Sequence, residues 1–110
     1  MERIDRSVLA VLSESVGEDF VGELIDTFIE EAPGMFDEMR QALSAGDADS
    51  FRRAAHSLKT NANTFGATEL AESAKELEYL ARENDLDIGD RLEALEESYK
   101  KAAKELRSLK

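Results

Sequence analysis

Apolar positions along the chain recur at intervals of three and four, the spacing of one face of an α-helix. No stretch alternates apolar with polar residues as a half-buried strand would. A short helix is expected over about residues 6–14, with Asp5 as its N-cap, Val8, Leu9, Val11 and Leu12 apolar, and Gly17 as its end. Asp19 is the expected cap of a longer segment, in which Val21, Leu24, Phe28, Ala32, Met35, Met39 and Ala42 step by 3, 4, 4, 3, 4, 3. A second ridge, Phe20, Leu24, Ile25, Ile29, Phe36 and Leu43, widens that stripe. Pro33 lies inside it. A proline in a helix interior costs about 3 kcal/mol, so a bend or break is expected at 32–34 with helix on both sides.

Gly46 stops this segment, and Asp47 or Asp49 starts the next. Phe51, Ala55, Leu58, Ala62 and Phe65 then step by 4, 3, 4, 3 up to Gly66. Thr68 is the expected cap of a helix carrying Leu70, Ala74, Leu77 and Ala81. A polar break at 84–90 precedes the last helix, with Leu92, Leu95, Tyr99, Ala102, Leu106 and Leu109 on one face. Its charges run from Glu93, Glu96 and Glu97 to Lys100, Lys101, Lys104, Arg107 and Lys110, the order that complements the helix dipole. Short connections make sequential helices antiparallel neighbours. The expected fold is therefore all-α: an antiparallel up-down four-helix bundle with a short extra N-terminal helix, one domain over 1–110.

Composition narrows the function. The 110 residues carry 14 Lys+Arg against 25 Asp+Glu, a net charge of −11, with no cysteine and one histidine. An acidic surface repels phosphate backbones and anionic lipid, so neither nucleic-acid binding nor membrane insertion is expected. Lack of cysteine removes a disulfide frame, a thiolate metal site and a thiol nucleophile. A single His removes paired-His metal sites. No apolar run reaches about 18 residues, and Met1-Glu2-Arg3-Ile4 leads straight into a polar-punctuated helix. A reducing, cytoplasmic compartment fits these features.

The one histidine has a definite azimuth. With Phe51 at 0° and about 100° per residue, Ala55, Leu58, Ala62 and Phe65 cluster near 0°. Arg52, His56, Lys59 and Asn63 fall at about 100°, 140°, 80° and 120°, a polar stripe turned away from the core. Lys59 is i+3 from His56, so the two are neighbours on that face. Spacing alone leaves two readings open. The commoner is a plain surface histidine; the other is an imidazole nucleophile, neutral near pH 7 with a reference pKa of about 6.5, beside an ammonium able to hold phosphoryl oxygens. No Gly-rich phosphate loop is present.

The run Ala55-His56-Ser57-Leu58-Lys59-Thr60-Asn61-Ala62-Asn63-Thr64-Phe65-Gly66-Ala67 resembles the signature of histidine-containing phosphotransfer (HPt) domains. That signature reads H-x-L-K-G, then a small or polar run, then G-A ten to eleven residues after the His. His56, Leu58, Lys59, Gly66 and Ala67 match it. The lead-in Ala45-Gly46-Asp47 with Phe51-Arg52-Arg53-Ala54-Ala55, and the stretch from Leu70 to Glu78, also look like this family, so the likeness spans about 4–108. Thr60 stands where the family often has Gly, which would narrow a partner's approach.

The resemblance implies a phosphocarrier without an ATP or kinase site of its own. A receiver domain bearing a phospho-aspartate would dock over His56, the imidazole would attack phosphorus in line through Nε2, and a second receiver would take the group back. The implied partners are receiver domains of response regulators or hybrid histidine kinases. Magnesium would sit in the receiver, with no cofactor or metal here, and the chain would be a monomer. His56 would be the acceptor, Lys59 would screen phosphoryl charge, and Asn63 would donate a hydrogen bond. Residues level with His56 across the Gly66 turn lie near 76–78. Several family members place a Gln there to hold the other ring nitrogen, and by offset this is Glu78. Across the Gly46 turn, Phe36 and Met39 are level with His56 and would form an apolar docking rim with Val8 and Leu12, and Arg52 and Thr60 would also take part in receiver docking. Arg52, Arg53 and Lys59 make a local basic exception on an acidic chain. Two alternatives stand: the phospho-accepting domain of a chemotaxis-type histidine kinase, and a helical interaction module without phosphochemistry.

Overall fold

Helices account for nearly all of residues 4–110, the part that the computed structural model describes. They are α1 (Arg6–Val16), α2 (Glu18–Ala45), α3 (Ala48–Thr64), α4 (Thr68–Arg82) and α5 (Arg91–Ser108), with no strand among the described residues. Each of the four long helices turns one apolar stripe inward. Phe28, Phe36, Phe51, Leu58, Leu70, Leu77, Leu95 and Leu106 are all buried in one core. Helix α2 packs on α3 and α5, α3 on α4, and α4 on α5, while α1 leans on α2 and α3. An aromatic knot ties the elements together. Phe28 stacks on Phe65 at 5.4 Å between centroids, and Tyr99 meets Phe28 edge-on at 5.8 Å and Phe36 at 5.4 Å.

The break expected at 32–34 is absent: α2 runs through Pro33 without interruption. Proline removes the N–H that would bond the Ile29 carbonyl one turn back. The Tyr99 hydroxyl of α5 donates to that carbonyl instead, at 3.3 Å. Burial pushes the phenol pKa up, against a smaller opposing pull from Arg107, so the group stays a donor. Core packing holds both sides of the proline in register, with Phe28 and Ala32 buried before it and Phe36 and Met39 after it.

Two expected caps also moved. Helix α2 begins at Glu18 after Gly17, whose φ of 91° turns the chain, so Asp19 lies in the first turn and complements the dipole there. Ala67 precedes α4, making Thr68 its first residue. Asp5 and Asp47 do cap, accepting from Ser7 N at 3.0 Å and Ser50 N at 3.1 Å. Helix α1 extends to Val16 rather than 14.

Gly66 owes its identity to a crossing chain. Its φ is +74°, and a Cβ there would lie 2.5 Å from the Asp5 carbonyl oxygen. The Asp5 N–H donates to the Gly66 carbonyl at 2.6 Å. The start of α1 is thus pinned to the α3–α4 turn, and Ile4 and Ala67 are buried beside it.

Tyr99→Phe should lower the unfolding free energy by about 1–2 kcal/mol, the cost of an unsatisfied, partly buried carbonyl. In a Pro33→Ala background, which restores the missing N–H, denaturant melts should find a smaller loss. An equal loss in both backgrounds would contradict this account of the continuous helix.

Candidate functional site

Helices α3 and α4 return on each other through the short turn at 65–67, which brings the middle of one level with the end of the other. On α3, Ala55 and Leu58 are buried, and His56 between them projects outward with its side chain 56% exposed. On α4, Ala74, Leu77 and Ala81 form the inward stripe, and Glu78 sits at its edge, 3% exposed. Among the described residues Glu78 is the one buried charged side chain.

The Glu78 carboxylate is the hub. Its Oε2 lies 2.7 Å from His56 Nδ1, and its Oε1 accepts from Lys59 Nζ at 2.5 Å. Arg82, one turn further along α4, brings Nη2 within 3.7 Å of Oε2. Burial pushes the carboxyl pKa up. The hydrogen bonds from Lys59 and His56 and their charges outweigh burial, and the net value lies below the ordinary 4.5. Glu78 is therefore an ion at neutral pH. An ionised carboxylate only accepts, so the ring nitrogen facing it carries a proton. Nδ1–H is fixed on the inner side, and Nε2 is left as the outward nitrogen of an exposed ring. When that ring is neutral, Nε2 holds the lone pair, and the arrangement is a nucleophile aimed at solvent and braced from behind by an anion.

The other expected residues are distributed unevenly. Lys59 is a neighbour of His56 as expected, but its ammonium is committed to Glu78 and its side chain is 23% exposed. Asn63 is exposed, and it lies two helical turns from His56, about 10 Å along the axis, outside the cluster. Thr60 is exposed one turn after His56. Arg52 and Arg53 share Asp49, at 2.8 Å and 2.6 Å, so the basic exception is partly neutralised. Val8 and Leu12 are half-buried on α1, Leu12 packing against the core. Phe36 and Met39 are 1% and 0% exposed, which corrects their expected place in a docking rim: both face the core. Arg82 escaped sequence reasoning. Its signal was the i,i+4 spacing from Glu78, which places both side chains on one face of α4.

Comparison with known proteins points one way. The family model described as Hpt domain matches residues 23–108. The phosphorelay protein LuxU of Vibrio vulnificus, in strains YJ016 and CMCP6, is 29% identical over 85 residues, spanning 77% of this chain and 74% of the relative. The crystal structure of histidine-containing phosphotransfer protein B (HptB) from Pseudomonas aeruginosa PAO1 superposes with a TM-score of 0.86 and 32% identity, over 96% of this chain and 92% of that one.

The lowered Glu78 pKa fixes the sign of a pH effect. A group with a depressed folded-state pKa contributes stability above its unfolded value and loses it as pH falls through the folded one. Measured against Glu78→Gln, the stability advantage of the wild-type chain should be full at neutral pH and should shrink below the ordinary carboxylate range. A difference independent of pH, in denaturant melts from neutral to acid, would contradict an ionised Glu78.

Proposed function

Because the chain belongs to the Hpt domain family and serves histidine phosphotransfer in a phosphorelay, we propose that His56 is the residue that carries the phosphoryl group. One observation carries this reading: the one histidine of the chain is exposed on α3 with its Nδ1 turned to a buried carboxylate. The donor is a receiver-domain aspartyl phosphate, with the receiver's magnesium balancing the phosphoryl charge. The Nε2 lone pair forms the new N–P bond while the P–O bond breaks, its electrons staying on the donor carboxylate. The ring gains positive character, and Glu78 compensates it through the Nδ1 proton that the ring retains. Return to a second receiver reverses these events.

Phosphoryl transfer needs little covalent help from the carrier; most of the work is positioning and charge stabilisation. A rigid helix face with one braced imidazole meets that need, and this supports a carrier role without an ATP or kinase site of its own. Lys59 turns one of its three ammonium donors to Glu78, and the others are available to phosphoryl oxygens. Val8, Leu12, Arg52 and Thr60 form the docking surface for the receiver. The packing of α2, α3, α4 and α5 supports reading the fold as an antiparallel up-down four-helix bundle with α1 as its short extra helix. We take the chain as a single monomeric domain acting on receivers of response regulators or hybrid kinases in the cytoplasm. None of its helices is long and apolar enough to cross a membrane, among the described residues.

Mixed with a phosphorylated receiver, the chain should gain the mass of one phosphoryl group in an acid-labile linkage, and His56→Gln should gain none. Label persisting in that variant would overturn the assignment.

A further inference from the structure

We propose that the outer face of α5, with Arg6 from α1, is a docking surface for an acidic segment of a partner protein, separate from the face that carries His56. Charge along the chain is segregated. Residues 100–110 hold five Lys or Arg and one Glu, a net +4, which leaves −15 for the rest. The helix dipole accounts for cations in the last turn of α5, where its field is felt. Lys101 lies two turns before that end, and Arg6 is on another helix. Ion pairing marks the same place. Among the described residues, Arg6, Lys75, Lys101, Lys104 and Arg107 have no carboxylate within ion-pair distance, and every other Lys or Arg has one. Lys75 stands by itself on α4. Arg6, Lys101 and Lys104 border one open cleft of about 490 Å³ with Glu105 and Ser108, and Arg107 extends the α5 row. On a chain where carboxylates outnumber cations, these exposed cations are available to an outside anion.

The arrangement of charge selects the partner. Lys101 and Lys104 are i,i+3 neighbours, with Cβ atoms about 5–6 Å apart, and Arg6 borders their cleft from a different helix. Cations spread in this way match successive carboxylates on a peptide, which recur at the same spacing along a helix, better than one tetrahedral anion. The row from Lys101 to Ser108 is about 10 Å long, close to the Debye length of about 8 Å at physiological ionic strength. A short acidic segment therefore meets the basic row alone. An extended phosphate backbone or lipid surface also meets the acidic remainder of the chain and is repelled. Helix packing separates the two faces: α5 packs on α2 and α4 but not on α3, so it lies across the core from the helix that carries His56. A partner held on α5 leaves the imidazole open to a receiver.

The probe is a hexaglutamate peptide, titrated into the whole chain at low salt and followed by ¹H–¹⁵N NMR. The backbone amides of Arg6, Lys101 and Lys104 should shift in a saturable way, and the shifts should fade as salt is raised. The double variant Lys101→Gln with Lys104→Gln should bind the peptide about tenfold more weakly, through the loss of two exposed charge pairs. It should still take phosphoryl label from a phosphorylated receiver at the wild-type rate. Absent shifts, shifts centred on Arg52, Arg53 and Lys59, wild-type peptide affinity in the double variant, or slowed labelling would each overturn the inference. Phosphatidylserine vesicles or inorganic phosphate binding the α5 row more tightly than the peptide would overturn the choice of a protein partner.

Discussion

Glu78 holds a negative charge between α3 and α4, where an unpaired buried carboxylate costs several kcal/mol. The groups that offset this cost are His56 and Lys59. A single contact therefore serves two ends. It keeps the anion tolerable inside the fold, and it orients the imidazole so that Nε2 faces outward. The price of such an arrangement is sensitivity: loss of either partner leaves the buried charge less well compensated, and loss of Glu78 frees the ring to rotate and change tautomer.

That contact exists only because α3 and α4 are held in one register. The turn between them depends on Gly66, where a side chain would collide with the Asp5 backbone. Its neighbours Phe65 and Ala67 are buried, and Phe65 stacks on Phe28 of α2. On the far side, Tyr99 bonds the carbonyl that Pro33 leaves free, and it packs on Phe28 and Phe36. The aromatic knot thus links the proline in α2 to the turn that aligns the site. Rigidity around the knot lets an exposed histidine keep a defined orientation.

Much of this was legible from residue spacing, and the misses have physical causes. Steps of three and four define which face of each helix is apolar, so the azimuth of His56 followed from local geometry. Counting residues across a short turn fixes how far along a neighbouring helix a residue lies, and this brought the 76–78 region opposite His56. The same count misplaced Phe36 and Met39, because level says nothing about azimuth, and both lie on the stripe that faces the core. Pro33 was read from its local cost alone. The compensating hydroxyl comes from Tyr99, distant in sequence, and no local pattern reveals it. Asp19 and Thr68 are good caps by residue type, but Gly17 and the docked turn at Gly66 set the helix starts instead. Arg82 was overlooked because its relevance depends on Glu78 being buried, which only the packed structure shows.

The central claim is that a buried, ionised Glu78 fixes the His56 proton on Nδ1 and leaves Nε2 free to attack. Long-range ¹H–¹⁵N correlation of the histidine ring reads this directly in the unphosphorylated chain, at a pH above the imidazole range, about 8. The account predicts a protonated Nδ1 and a bare, pyridine-like Nε2. A ring protonated on Nε2, or a mixture of the two tautomers such as an untethered imidazole shows, would contradict it.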